Sequence, residues 1–241
     1  MSVLAAQLKV ELTTMLRNGE QLLLTLGIPV LLLLFFTVVD ILPTSTDEPI
    51  DFLAPGVLAL ATMSSAMIGL GIATGFERSY LVLKRLGATP LGRGRLIGAK
   101  IGAVIVVELV QFAVLVPVAL ALGWRPDGAQ WALALAGVIV GTAAFAGIGL
   151  VLAGRLRGEL NLAAQNGLYL LLLLLGGMII PLAELPSVLR AVAYVLPSAA
   201  LADVLRDALG GGGVRAGASW IVLAAWAVGA PAAASRLFRW W

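Results

Sequence analysis

Residues 77–100 read ERSYLVLKRLGATPLGRGRLIGAK, a charged island between two long and almost uncharged apolar stretches. Six of the chain's sixteen Lys and Arg residues fall within these 24 positions. An apolar chain concentrates charge where it must meet something polar: water, lipid headgroups or a soluble partner. The composition around the island decides the class. Across 241 residues, 61% are hydrophobic and 12% charged, whereas a soluble domain carries about 25% charged residues.

About 20 apolar residues suffice to cross a bilayer as a helix. Six runs meet that length, at about 21–42, 52–76, 97–123, 131–153, 162–181 and 217–235. The expected fold is therefore an all-α polytopic membrane protein, a single transmembrane domain over 1–241. The first apolar run exceeds the 7–15 residues of a signal h-region and is followed by no small-x-small cleavage site, so it reads as a retained span. Before it, Leu4, Leu8, Leu12 and Met15/Leu16 share one helical face, while Gln7, Glu11, Thr14 and Asn18 share the other. That pattern predicts an amphipathic helix over 1–20, lying in the interface.

Orientation follows from the basic residues. With the N-terminus inside, Lys9, Arg17, Arg78, Lys84, Arg85, Arg93, Arg95, Lys100, Arg155, Arg157, Arg236 and Arg239 are cytoplasmic. Only Arg125, Arg190, Arg206 and Arg215 remain outside. The twelve-to-four split places both termini in the cytoplasm and the island on the same side. The first connection, near Asp40, Asp47, Glu48 and Asp51, has no basic residue, and the third, Trp124–Gln130, is a tight turn around Pro126, Asp127 and Gly128.

The segment 187–209 is apolar but carries Arg190, Pro197, Asp203, Arg206 and Asp207, each costly at membrane depth. It is expected to form two short helices broken at Pro197, dipping into the outer leaflet or lying on it within an extracellular segment 183–216. Gly210–Gly213 would link it to the last span. Trp124 and Trp131, and Trp240 and Trp241, read as interfacial anchors.

The chain has no histidine and no cysteine. Disulfides, thiolate chemistry and the commonest neutral-pH base and metal ligand are therefore excluded. No clustered Asp/Glu ligand set suggests a membrane enzyme. Residues 87–94 have the glycine spacing of a phosphate-binding loop, but Arg and Gly occupy the Lys and Ser/Thr positions and Pro90 removes a donor. Neither catalytic residues nor a bound cofactor or metal are expected in this chain, and nothing points to nucleic acid.

Within the spans, Gly69, Gly71 and Gly75, and Gly137, Gly141, Gly147 and Gly149, allow close helix approach. Packing within the chain is the preferred reading, with a dimer seam as the alternative. Glu108 is the acidic residue deep in a span, with Gln111 one turn on and Pro117 expected to kink the same helix. Intramembrane ionisable groups usually face a bundle interior or a watery cavity. Glu108 and Gln111 are thus candidates for a translocation path. The structural alternative is a hydrogen bond from Glu108 to Gln165 or Asn166.

Two motifs resemble one family. Glu77-Arg78, Leu83-Lys84-Arg85-Leu86, Ala88-Thr89-Pro90-Leu91 and then Lys100 look like the first cytoplasmic loop of ABC-2 type transporter permeases. Gly177, Pro181, Leu185-Pro186, Leu189, Leu196-Pro197 and Leu205-Arg206 resemble that family's segment between spans five and six. Ser79-Tyr80 departs from the Gly or Arg that many members carry.

The resemblance implies a type V exporter half, in which two permease chains form the pore and two separate ATPase subunits bind ATP and dock from the cytoplasm. It makes 77–86 the coupling helix, with Glu77, Arg78, Leu81, Leu83, Lys84, Arg85, Leu86, Thr89 and Pro90 as coupling residues. It suggests a partner ABC ATPase, a second permease copy or paralogue, an inner (plasma) membrane location, and export of a hydrophobic drug, antibiotic or lipid-like substrate. The competing class is an ion-coupled secondary multidrug transporter using Glu108, although no internal repeat accompanies it.

Overall fold

The computed structural model describes residues 3–17, 19–39, 49–89, 91–210, 213 and 215–237. Pro90, Trp240, Trp241, Arg239, Asn18, Asp40, Asp47, Glu48, Gly211 and Gly212 lie outside the described residues. Among those described, the chain is helical without strands. Five helical stretches are long and apolar enough to cross a membrane: Pro49–Ser79, Gly94–Ala121, Trp131–Arg155, Gly158–Leu175 and Ala216–Leu237. The protein is an all-α polytopic membrane protein.

Helix α1 (Val3–Arg17) precedes α2 (Gly19–Val38), which occupies the place of the first expected span. The second span begins as α3 (Pro49–Met63), passes through a π-helical stretch at Ser64–Gly69, and continues as α4 (Leu70–Ser79). It is the central element, 78% of its apolar window being buried. After the short α5 (Val82–Gly87) come α6 (Arg93–Ala121), which runs through Pro117, and α7 (Trp131–Arg155). Then follow α8 (Gly158–Leu175), α9 (Ser187–Ala193), α10 (Pro197–Ala208) and α11 (Ala216–Leu237).

Several sequence expectations shift. The fifth span ends at Leu175 rather than near residue 181, because Gly176 and Gly177 follow and Gly177 takes a left-handed backbone (φ 61°). The 187–209 segment forms two helices broken before Pro197, as expected, with a 79° bend between them. Yet α10 lies among α3, α7 and α11, and Pro197–Ala202 are all buried, so it is a core element rather than a surface one. Trp124 is not an exposed anchor. It is buried, edge-on to the exposed Trp131 at 6.1 Å, and only Trp131 keeps the surface position.

The glycines pack within the chain. A Cβ at Gly141 would meet Leu201 and one at Gly137 would meet Val204, so both seat α10 on α7. Gly147 abuts Pro231 of α11, and Gly149 lies against the Met67 carbonyl of the π stretch. α1 packs along α6 with Leu8 against Gly102. This reverses part of the amphipathic reading. Glu11 turns inward and is buried, while Val3, Leu4, Val10 and Leu16 are exposed.

Candidate functional site

The charged island begins where α4 leaves the bundle. Arg78 donates to the carbonyls of Ala153 (3.2 Å) and Leu156 (3.1 Å), where the α7 carbonyls run out of partners. Phe76 stacks on Tyr80 at 6.3 Å. The helix then stops. Leu81 adopts φ 61°, ψ 17°, a left-handed conformation that costs a non-glycine residue about 1–2 kcal/mol. It is the one positive-φ residue other than glycine among those described.

The expectation of a single helix over 77–86 is therefore corrected: Glu77–Ser79 end the span, Tyr80 and Leu81 form a turn, and α5 is a separate helix. The reversal returns Leu83 to the core, where it is fully buried, and Leu91 and Leu96 follow it inward. Leu83 thus serves the fold, and Leu86 is half-buried against the same core. What projects is Tyr80, Leu81 and Val82 together with Lys84 and Arg85. Thr89 closes α5 by donating to the Leu86 carbonyl at 2.6 Å.

Behind this turn, Lys100 of α6 is withdrawn from water between two carboxylates. Its Nζ is 3.0 Å from Glu11 Oε2 of α1. It donates to Glu77 Oε1 at 3.0 Å and lies 2.8 Å from Glu77 Oε2. Gln7 donates to the other Glu11 oxygen at 2.8 Å. A buried ammonium is tolerated only when paired and hydrogen-bonded. Here the pairing binds α1, the end of α4 and the head of α6 into one unit. Glu77 and Lys100 stand in the charged island, whereas the helical pattern puts Glu11 on the polar side of α1 with Gln7 and Thr14. The missed signal was a lysine two turns into α6, a full turn beyond Arg93 and Arg95 and already within the apolar run.

Deeper in α6, Glu108 and Gln111 share a face and are both fully buried. Glu108 Oε2 is 2.5 Å from the Thr142 hydroxyl of α7. Gln111 accepts from Ser65 of the π stretch at 2.8 Å and donates to the Thr25 carbonyl of α2 at 2.9 Å. The expected partners of Glu108 are corrected. Gln165 instead donates to the Gly149 carbonyl (2.9 Å) and to Asn161 (3.3 Å), and Asn161 donates to the Gly71 carbonyl at 3.0 Å. The reason is the packing of α8, whose Asn161 and Gln165 press against Gly75 and Gly71 of α4, away from α6. Neither Glu108 nor Gln111 reaches the surface of the single chain.

The second family-like segment is held by another buried charge. Arg206 of α10 donates to the carbonyls of Gly177 (2.6 Å) and Met178 (3.2 Å), and its guanidinium sits 3.7 Å over the Phe52 ring. Asp203, one turn earlier, accepts from Ser219 at 2.8 Å and from the Arg215 backbone at 3.0 Å, at the start of α11. Two of the four charges that argued against membrane depth, Asp203 and Arg206, are thus met by local donors and carbonyls.

The family model described as ABC-2 type transporter matches residues 3–209, from α1 to just past α10. Comparison with curated proteins gives no match.

Proposed function

The chain belongs to the ABC-2 type transporter family, and from that premise we propose that it is the permease subunit of an ABC exporter. Two permease chains form the pore, and separate ATPase subunits bind and hydrolyse ATP. The chain lies in the inner (plasma) membrane with both termini in the cytoplasm and α1 along the cytoplasmic interface. The pore, apolar and weakly charged by composition, suits a hydrophobic drug, antibiotic or lipid-like substrate.

One observation carries the coupling role: an exposed, mixed apolar and basic surface made by Tyr80, Leu81, Val82, Lys84 and Arg85 stands at the end of the most buried span. In this reading the ATPase grips Leu81, Val82, Lys84 and Arg85. Its motion passes into α4 and, through Lys100, into α6 and α1 together. Glu77 and Arg78 act by fixing the turn to the bundle rather than by touching the partner. Thr89 shapes the end of α5.

The exposed and buried leucines separate docking from folding. Leu81→Asp should leave expression and thermal stability near those of the parent while abolishing co-purification of a co-expressed ABC ATPase subunit. Leu83→Asp should lower stability and yield in the absence of any partner. Retained ATPase binding and transport in Leu81→Asp would sink the coupling assignment.

A further inference from the structure

Helices α7 and α11 run parallel. Gly147 abuts Pro231, and towards the other end a Cβ at Gly137 would approach Trp220. These contacts join residues 84 and 83 positions apart, so the two helices stay in step. Arg155 and Arg236, in their last turns, therefore lie at nearly one level on one side of the bundle. Beside the Gly147 crossing is a groove of about 320 Å³, within the size range of small-ligand sites. Its walls are Ile148, Val151 and Leu152 of α7 and Trp226, Gly229, Ala230 and Ala233 of α11. The Trp226 indole N–H is already engaged, donating to the Val195 carbonyl at 2.9 Å, so the ring offers the groove only apolar surface. A Cβ at Gly229 would meet nothing within 4 Å, so the space there is open. The groove opens sideways, because Trp226 and Gly229 are exposed and α11 is the least covered span, with 11% of its apolar window buried.

Both walls end in an arginine. On α7, Arg155 follows Leu152 by three residues and Val151 by four, and on α11 Arg236 follows Ala233 by three. Each guanidinium is thus carried on the stripe that lines the groove. Both side chains are exposed, and neither makes an ion pair or hydrogen bond among the described residues. Arg155 does not serve to close α7, since Arg78 takes the carbonyls of Ala153 and Leu156. Ten residues separate Trp226 from Arg236, about 15 Å of helix. That is half of a hydrocarbon core about 30 Å thick. The feature therefore has the length of one leaflet, apolar along its course and cationic at its mouth.

We propose that the groove between α7 and α11 binds one anionic phospholipid of the bilayer. One acyl chain lies along Leu152, Ala233 and Gly229 up to Trp226, and the phosphate sits between Arg155 and Arg236. The planar guanidinium fork matches phosphate oxygens. An apolar helix would cover the walls but not the charges, and a free anion would meet the charges but not the walls. A zwitterionic lipid fits the walls but brings its own cation to a mouth that already holds two. The lipid is resident rather than cargo: it enters sideways from the leaflet and joins α7 to α11 at their charged ends.

The exporter reading enters only in naming the leaflet, since cytoplasmic termini put the mouth on the inner side. The full-length chain, purified in maltoside detergent with a co-expressed ABC ATPase subunit, is titrated with dioleoyl-phosphatidylglycerol or dioleoyl-phosphatidylcholine. Bound lipids are counted by native mass spectrometry, and Tm is followed on the same samples. The parent should hold one phosphatidylglycerol per copy of this chain, with a concentration-dependent rise in Tm that phosphatidylcholine does not give. Arg155→Gln combined with Arg236→Gln should weaken that binding about thirtyfold while leaving the lipid-free Tm near the parent's. Gly229→Leu fills the groove without touching the charges and should also remove the held lipid. Val228→Leu, on the exposed neighbouring face, should not.

Equal retention of the two lipids by the parent overturns the anionic headgroup. Phosphatidylglycerol binding that survives Gly229→Leu overturns the groove and leaves adsorption to surface charge. Release of the held lipid on adding ATP and Mg²⁺ makes it cargo and overturns its resident role. Any of these with the ATPase still co-purifying leaves the exporter reading intact. Absence of the ATPase from preparations that show the expected lipid behaviour overturns that reading and not the site.

Discussion

The two buried polar clusters of α6 stand eight residues apart and are built on different principles. At Lys100 an ammonium holds two carboxylates contributed by distant parts of the chain. At Glu108 and Gln111 the partners are hydroxyls and a backbone carbonyl. Removing one member of a buried charge group leaves the others uncompensated, whereas a hydrogen-bonded group can be exchanged for an isostere that keeps its bonds at little cost. The first cluster therefore ties α1, the end of α4 and the head of α6 to one another. The second fixes how neighbouring spans are set against one another.

The largest effect is expected at Lys100. Lys100→Met leaves Glu11 and Glu77 facing each other without their cation, and breaking such a group costs about 3–5 kcal/mol. Thermal unfolding in detergent should show a large drop, with α1 becoming susceptible to protease before the rest of the chain. If Lys100→Met were as stable as the parent, the contrast between the clusters would collapse. An intermediate effect is expected for Glu108→Leu, which leaves the Thr142 hydroxyl to its own helix and removes a buried hydrogen bond, at about 1–3 kcal/mol. The smallest is expected for Glu108→Gln, which keeps the shape and an acceptor for Thr142 and should shift stability by less than about 1 kcal/mol. Transport separates the two roles of Glu108. A stable Gln variant with altered transport places it on the substrate's path, and a stable Gln variant with unaltered transport makes it a structural link between α6 and α7.

The fold was readable where composition alone decides. Runs of apolar residues long enough to cross a bilayer exclude other classes, and Pro197 marks a break that backbone chemistry enforces, whereas the end of α8 at Leu175, before Gly176 and Gly177, falls short of the expected 181. Burial within the bundle was not readable. The composition of 187–209 showed costly charges but not the carbonyls of Gly177 and Met178 that receive Arg206, because those contacts join residues nearly thirty positions apart.

The same limit applies at the site. The island announced itself by charge density, and Glu77 and Lys100 were visible within it. Which leucine faces outward depends on the left-handed turn at Leu81, and no periodicity rule places such a residue in advance. Glu11 was assigned to the water face because a carboxylate on an amphipathic helix ordinarily belongs there. Its partner lies 89 residues away, beyond any local pattern.

The coupling turn offers the most direct test of the account. A photoreactive amino acid placed at Leu81 in the full-length chain, irradiated in native membranes, should cross-link to a nucleotide-binding ATPase subunit, while the same probe at the buried Leu83 should not. Cross-linking of position 81 to lipid alone, or to no protein when the ATPase is present, would contradict the claim that this turn is where the permease is driven.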